Sequence, residues 1–139
     1  QYGNKTIGTA VDSFWINNQL KISADEQVGF IKRLYHTELP FSERTQRIVR
    51  SMMLQKEGTN YKLYYKTGWS KAEQKDLLWI VGYVEKIQVL KNVETGKMDH
   101  IPHPYFFALN FSTSDTAKDL RQLRMDLLQD LLNANDIGK

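Results

Sequence analysis

The stretch that decides the fold is Tyr61-Lys62-Leu63-Tyr64-Tyr65-Lys66-Thr67, because the residue pattern changes there from helical to extended. It is rich in aromatic residues and alternates as a half-buried strand does. Two further segments rich in β-forming residues follow, Leu77–Glu85 and Tyr105–Phe111. The polar segment Ser70–Asp76 and the segment Lys91–Pro104 connect them as antiparallel neighbours. We therefore predict three strands, the last two joined by a loop that is long for a hairpin.

Upstream of this stretch apolar residues recur at helical intervals, which predicts three helices. The second has the clearest start, because Ser23 precedes Glu26 by three residues, the spacing of a capping box. The Met52-Met53 pair in the third helix is most simply interpreted as core packing. The predicted bounds are Asp12–Leu20, then Ser23 to a stop at Pro40, then Ser42 as N-cap to a stop at Gly58.

The end of the chain predicts a fourth helix, Asp115–Asn135, with a leucine stripe and a cap at Ser114 or Asp115. Arg124 lies close to the middle of that stripe, where an arginine must find an anion or remain poorly solvated. A buried carboxylate is the simplest partner. Helices, then strands, then a helix indicate an α+β fold.

Length and composition limit the class of protein. With 139 residues, 41% hydrophobic and 25% charged, the chain has the size and composition of one globular domain. Its apolar runs are far shorter than the roughly 20 residues that span a bilayer.

The formal charge of +3 is spread among acidic residues, which excludes a basic stripe for nucleic acid. Zero cysteines exclude thiolate catalysis and disulfides. Because Gln1 is not an initiator methionine, we expect a processed or cloned piece.

The strongest local motif is Lys66-Thr67-Gly68-Trp69 at the end of a predicted strand. A lysine, a hydroxyl and a flexible glycine there present a cation, a donor and exposed backbone. Taken alone, the motif is more simply interpreted as a solvated lysine before a turn.

Its surroundings favour the functional interpretation, because the chain resembles class D (oxacillinase-type) serine β-lactamases over nearly its whole length. The resemblance implies that residues 1–139 form a single partial domain, the C-terminal half of the β-lactamase and penicillin-binding-protein transpeptidase-like fold, with its C-terminal helix packed on the sheet. The segments that carry it, besides Lys66-Thr67-Gly68-Trp69, are Gln1-Tyr2-Gly3-Asn4, Asp12-Ser13-Phe14-Trp15, Gln19-Leu20-Lys21-Ile22-Ser23-Ala24, Trp79-Ile80-Val81-Gly82-Tyr83-Val84-Glu85 and Tyr105-Phe106-Phe107-Ala108-Leu109-Asn110.

The resemblance implies roles for the strand motif. Lys66, Thr67 and Gly68 match the family's motif, and the backbone N–H of Trp69 is expected to be one of two oxyanion-hole donors. Lys66 is expected to add positive potential near the carboxylate of the substrate. Removing one oxyanion donor costs about 10²–10³ in rate in other enzymes, so Trp69 would matter greatly.

Two further roles are implied at Trp15 and Arg124. Trp15 resembles the tryptophan whose indole N–H binds a carboxylated lysine, a CO2-derived carbamate, in a pocket that Ile16 helps to keep dry. Periodicity alone favours a core tryptophan. Aligning the chain ends puts Arg124 on the arginine that binds the substrate carboxylate, with Arg121 as the alternative. Tyr2-Gly3-Asn4 is expected to shape a loop.

The nucleophile of the family is not found in this chain. It is the serine of an S-x-x-K tetrad whose lysine carries the carbamate, and no serine here has lysine three residues later. The S-x-V motif is also absent, and both precede Tyr2-Gly3-Asn4 in the family. We expect the chain to need its N-terminal half as a partner, or to form a homodimer or larger oligomer that covers an exposed face.

The implied function is hydrolysis of penicillin-type β-lactams through a serine acyl-enzyme, in a periplasmic or secreted location. An alternative is a β-lactam sensor domain that stays acylated, although such sensors tend to have threonine where this chain has Trp69. A degenerate homologue is the third possibility. No metal is expected, since His100-Ile101-Pro102-His103 has no third nitrogen or sulfur ligand near it.

Overall fold

The computed structural model describes residues 20–72, 74–115 and 119–137, and within them it contains three helices and a four-stranded sheet. The strands follow the order β1-β2-β3-β4, and each pairs antiparallel with its neighbour. The α+β prediction is confirmed. The elements are α1 Ala24–Tyr35, α2 Glu43–Met53, β1 Leu54–Glu57, β2 Tyr61–Ala72, β3 Lys75–Lys91, β4 Met98–Thr113 and α3 Leu120–Ala134.

Both helix starts predicted from capping residues are confirmed. Ser23 Oγ accepts a hydrogen bond from the Glu26 N–H at 3.1 Å, and Glu26 Oε2 accepts one from the Ser23 N–H at 2.8 Å. Ser42 Oγ accepts from the Thr45 N–H at 3.1 Å and begins α2. These bonds satisfy N–H groups that a helix leaves unpaired at its first turn.

The predicted helix ends were too late. α1 ends at Tyr35 rather than at Pro40, because Thr37 takes a left-handed backbone conformation with φ of 63°. α2 ends at Met53, and Leu54–Glu57 forms β1 instead of a last helical turn. This segment is a strand because it pairs with β2, and its own residues do not indicate that pairing.

α3 begins later than predicted, at Leu120 instead of Asp115. Its N-cap is Asp119, whose Oδ1 accepts from the N–H groups of Arg121 at 3.0 Å and Gln122 at 3.2 Å. A carboxylate at this position also interacts favourably with the helix dipole.

The segment Lys91–Pro104 is not the long loop that we predicted. β3 and β4 continue as a two-stranded ribbon to the pair Lys91 and Met98, so His100–His103 lies on β4. The turn is held by Asn92 Oδ1, which accepts from two backbone N–H groups at 3.0 Å each, and by Gly96 with φ of 68°. His103 Nε2 lies 2.9 Å from Gln88 Oε1 on the facing strand.

The sheet separates two apolar clusters, because successive side chains of a strand point to opposite faces. On one face Tyr83 packs with Ile31 and Leu34 of α1 and with Met53 of α2. On the other face Ile80, Val84 and Phe107 pack with Leu128 and Leu132 of α3. Three layers result, with α1 and α2 on one side and α3 on the other.

The Met52-Met53 pair divides between inside and outside. Met53 is 6% exposed and belongs to the first cluster, whereas Met52 is 75% exposed. The prediction of core packing is therefore wrong for Met52. Ile48 and Val49 are also exposed and lie on the same helix. We call Ile48, Val49 and Met52 the α2 apolar face.

Candidate active site

A groove of about 660 Å³ lies between the helix pair α1–α2 and the β2–β3 face of the sheet. Its helix side is apolar and includes Phe30, Val49 and Met52. Its strand side consists of Leu77, Trp79 and Val81 of β3 and of the run Lys66–Lys71, which includes the whole Lys66-Thr67-Gly68-Trp69 motif. The structure thus brings the sequence-predicted motif to the wall of a cavity large enough for a small molecule.

The outer edge of β2 is open beside this motif. β1 pairs with β2 only at Lys62, Leu63 and Tyr64, so within the described residues no strand covers the outer edge from Tyr65 onward. On its inner edge β2 is paired with β3 along its whole length. Backbone groups that point outward from the motif are therefore available to a ligand or to another part of the protein.

The peptide unit between Gly68 and Trp69 has a defined orientation. Gly68 faces Trp79 of β3, and one nitrogen of Arg124, Nη1, donates to both carbonyl oxygens, at 3.1 Å and 3.5 Å. The Gly68 carbonyl therefore points inward, toward the gap between β2 and β3. No described peptide bond is cis, and in a trans peptide the C=O and N–H point in opposite directions. The Trp69 N–H consequently points to the open edge of β2.

Arg124 lies deep beneath the strands, as its place in the leucine stripe predicts, and is only 8% exposed. Burial lowers the pKa of its guanidinium, the nearby Tyr65 raises it, and Arg121 lowers it further. The acceptors found are backbone carbonyls rather than the carboxylate that would be its simplest partner. Its Nε is buried and has no hydrogen-bond partner among the described residues.

Arg121 lies one turn earlier on α3 and is exposed. Its guanidinium carbon sits 5.8 Å from the centre of the Trp69 ring, an arrangement that favours a cation over an aromatic face. Trp69 is 46% exposed, and its indole N–H donates to Asp76 Oδ1 at 2.8 Å. Asp76 was not singled out from the sequence, since a carboxylate in a polar connection carries no distinguishing pattern.

Lys66 is exposed at the groove wall, where its Nζ donates to the Thr67 carbonyl oxygen at 2.6 Å. Ser70 and Lys71 extend the same wall and were also missed by sequence reasoning. Thr67 and Gly68 both line the groove, so the structure brings together Lys66, Thr67, Gly68 and Trp69. Arg124 is not among the lining residues, because it approaches the motif from the α3 side.

Four sequence predictions fall on residues outside the described part of the chain: Trp15, Ile16, the loop of Tyr2-Gly3-Asn4 and, apart from Leu20, the predicted helix Asp12–Leu20. Among the described residues, no group of three or more histidine, aspartate or glutamate side chains is placed to hold a metal ion. No described helix has the length and apolar character needed to cross a membrane.

The layered fold is one that a known family shares. The family model of the penicillin-binding protein transpeptidase domain matches residues 1–104. Since this is well over half of the chain, the chain belongs to that family. Within it, the relatives and structural neighbours are class D β-lactamases of the OXA type, which confirms the resemblance drawn from the sequence.

Two curated relatives illustrate the likeness. The chain is 45% identical over 84 residues to β-lactamase OXA-48 of Klebsiella pneumoniae, which covers 60% of this chain and 32% of that protein. It is 39% identical over 119 residues to β-lactamase OXA-3 of Pseudomonas aeruginosa, which covers 86% of this chain and 37% of that protein. The aligned segments therefore make up about a third of the length of these relatives.

Solved structures agree on the fold. The class D β-lactamase from Sebaldella termitidis superposes with a TM-score of 0.79 and 30% identity, over 98% of this chain and 50% of that one. The class D β-lactamase FUS-1 (OXA-85) from Fusobacterium nucleatum superposes with a TM-score of 0.78 and 29% identity, over 99% of this chain and 51% of that one. The described fold corresponds to about half of such an enzyme, in agreement with the predicted C-terminal half.

Proposed function

We propose that the intact protein is a class D serine β-lactamase that hydrolyses penicillin-type antibiotics, and that this chain supplies the wall of the active site that stabilises charge. The observation that carries the proposal is the Trp69 N–H, which points to the open edge of β2 beside the groove. The class D relatives, which are named as β-lactamases, support the choice of substrate.

The proposed reaction has two steps. A serine oxygen outside this chain forms an ester with the lactam carbonyl carbon as the carbon–nitrogen bond breaks, and the ring nitrogen takes up a proton. Water then hydrolyses the ester and releases the serine. In both steps the carbonyl oxygen gains negative charge, and the Trp69 N–H would donate to it.

Lys66 and Thr67, whose side chains point to opposite faces of β2, would flank a substrate bound at its open edge. The exposed ammonium of Lys66 gives positive potential in the groove, and the Thr67 hydroxyl and the small Gly68 allow a ligand to approach the strand. Both features suit a substrate with a carboxylate.

For the substrate carboxylate we favour Arg121, the alternative named from the sequence, over Arg124. Arg121 is exposed, and its guanidinium lies over the Trp69 ring on the α3 side of the motif. Arg124 is buried, and its Nη1 is engaged by two carbonyls. A freely positioned guanidinium can bind a carboxylate through two parallel hydrogen bonds.

A carboxylated lysine on the other half of the domain would supply a general base. The residues of this chain proposed to contact it, Trp15 and Ile16, lie outside the described part. We further propose that the N-terminal half of the same domain covers the groove, and that the protein is exported, since β-lactams act outside the cytoplasm.

Nitrocefin turnover by the intact protein tests the proposal, with the variant that replaces the S-x-x-K serine by alanine as control. We expect turnover by the parent protein and none by the variant. Mass spectrometry of the protein after mixing with penicillin adds a second measurement. A stable acyl adduct without turnover would indicate the sensor, and neither turnover nor adduct would indicate a degenerate homologue; either result would overturn the proposal.

A further inference from the structure

We infer that Arg124 is a positioning residue for the oxyanion donor: it holds the Gly68–Trp69 peptide from behind so that the Trp69 N–H faces the lactam carbonyl. This inference rests on the proposed function, and it assigns to Arg124 a role other than binding the substrate. Its basis is the bond from Arg124 Nη1 to the Gly68 carbonyl oxygen, which belongs to the same peptide unit as the Trp69 N–H.

A rotation of this peptide would turn the N–H away from the groove. Gly68 permits such a rotation more readily than other residues, because it has no Cβ. Its surroundings are not tightly packed, since a Cβ added at this position would make only an ordinary contact with Trp79 Cβ, at 3.5 Å. The pairing of Gly68 with Trp79 opposes this rotation, and the guanidinium nitrogen that donates to both carbonyls adds to this restraint, since it fixes one carbonyl on each strand.

The charge of Arg124 adds to the effect of its geometry. A cation that donates to a peptide carbonyl polarises that peptide and makes its N–H a stronger donor, as in a chain of hydrogen bonds. Arg124 as a whole residue is only 8% exposed, so water screens this effect weakly. Among the described residues its Nε has no partner, whereas its Nη1 donates to both strand carbonyls.

The test uses the intact protein and the variant Arg124→Gln, which removes the charge. We expect the acylation rate to fall about tenfold to a hundredfold per folded molecule, less than the loss of a whole oxyanion donor, with little change in substrate affinity. Infrared difference spectra of the acyl-enzyme provide the decisive readout. The ester carbonyl stretch should move to higher frequency, because its hydrogen bond from Trp69 weakens.

Leu132→Ala is the matched control. Leu132 is 5% exposed and lies eight residues after Arg124 on the same side of α3, but it does not make the contact that Arg124 makes with the motif. It should lower stability without moving the carbonyl frequency. If Arg124→Gln fails to fold, Arg124→Lys replaces it; the retained charge and the N–H donors of the ammonium predict a smaller frequency shift.

An unchanged carbonyl frequency in the variant, or weaker substrate binding at an unchanged acylation rate, would overturn the inference alone. Absence of turnover and of acylation in the parent protein would overturn the proposed function as well. The two failures are therefore distinguishable.

Discussion

At the residue scale, Trp69 has two groups whose contributions can be separated by substitution. One is its backbone N–H at the open edge of β2, and the other is its indole, which donates to Asp76. Proline removes the N–H and is tolerated on edges where that group has no strand partner. We expect Trp69→Pro to lower kcat by about 10²–10³, and Trp69→Leu, which keeps the N–H, to lower it by less than about tenfold. Steady-state nitrocefin kinetics measure both, and equal activity of the two variants would contradict the assignment.

Arg121 is expected to act on substrate affinity rather than on rate. A hydrogen bond to a charged group contributes about 1.5–3 kcal/mol, so Arg121→Ala should raise KM about tenfold or more for a carboxylate-bearing β-lactam. Arg121→Lys should give an intermediate KM, because lysine lacks the forked geometry. The exposed neighbour Gln122 gives a control, Gln122→Ala, with unchanged KM. Arg121→Ala should leave thermal unfolding unchanged, and an unaltered KM would count against this role.

The residue scale also shows where sequence reasoning stops. The burial of Arg124 could be predicted, because helical spacing alone puts it in a leucine stripe. Its acceptors could not, because they are carbonyls of Gly68 and Trp79 on two strands far along the chain. Backbone carbonyls leave no residue-type signal in a sequence.

At the scale of elements, capping interactions between nearby residues could be predicted from the sequence, whereas the pairing of strands could not. The capping bonds of Ser23 and Ser42 involve residues three positions apart, so spacing revealed them. β1 and the ribbon that extends β3 and β4 depend on strands that lie elsewhere in the chain. Their own residues therefore suggested a helix end and a loop.

Gly82 makes the pairing of β2 and β3 possible. A Cβ at this position would overlap the Tyr64 carbonyl oxygen and crowd Tyr65 Cα at 2.8 Å. Gly82→Ala should therefore lower the free energy of unfolding by about 3 kcal/mol or more. Gly29→Ala is the matched control in α1, where a Cβ meets nothing within 4 Å. It should stabilise the protein by about 0.5–1 kcal/mol, and denaturant unfolding would reveal any departure from these opposite signs.

The tyrosine cluster between α1 and the sheet predicts loss of stability in alkali. The Tyr64 and Tyr83 rings stack at 4.5 Å, and Tyr35 meets Tyr83 edge-on at 5.1 Å. Burial, followed by a hydrogen bond with Glu85, raises the pKa of Tyr35 to about 12, and burial also raises the pKa values of Tyr64 and Tyr83.

The direction of this pH dependence follows from the difference in tyrosine pKa between the folded and the unfolded chain. The unfolded chain releases these protons near pH 10, whereas folded Tyr35 keeps its proton to about pH 12. The free energy of unfolding should therefore be fully retained below pH 10 and fall as the pH rises to about 12. Urea unfolding at several pH values across this range measures how steeply the free energy of unfolding falls with pH, which is the slope compared below. Tyr35→Phe should reduce the slope, whereas Tyr105→Phe, at an exposed site, should not; equal slopes would argue against the cluster.

At the scale of the whole molecule, the two sides of the sheet differ in how well they are covered. α3 packs along one face with Leu128 and Leu132 buried. On the other side the α2 apolar face is open, with Ile48 45% and Met52 75% exposed. The solved relatives are about twice as long as this chain, so they contain further structure that could lie over this face.

The isolated 139-residue chain is therefore expected to self-associate through the α2 apolar face. Val49→Lys combined with Met52→Lys should reduce the associated fraction, because charge on a contact face opposes burial there. The matched control is Val93→Lys combined with Met98→Lys at the tip of the ribbon, where the side chains are 97% and 56% exposed. This pair adds the same charge away from the face and should leave association unchanged. Size-exclusion chromatography with light scattering measures the outcome; a well-folded monomer from the unsubstituted chain, or equal effects of the two pairs, would refute the prediction.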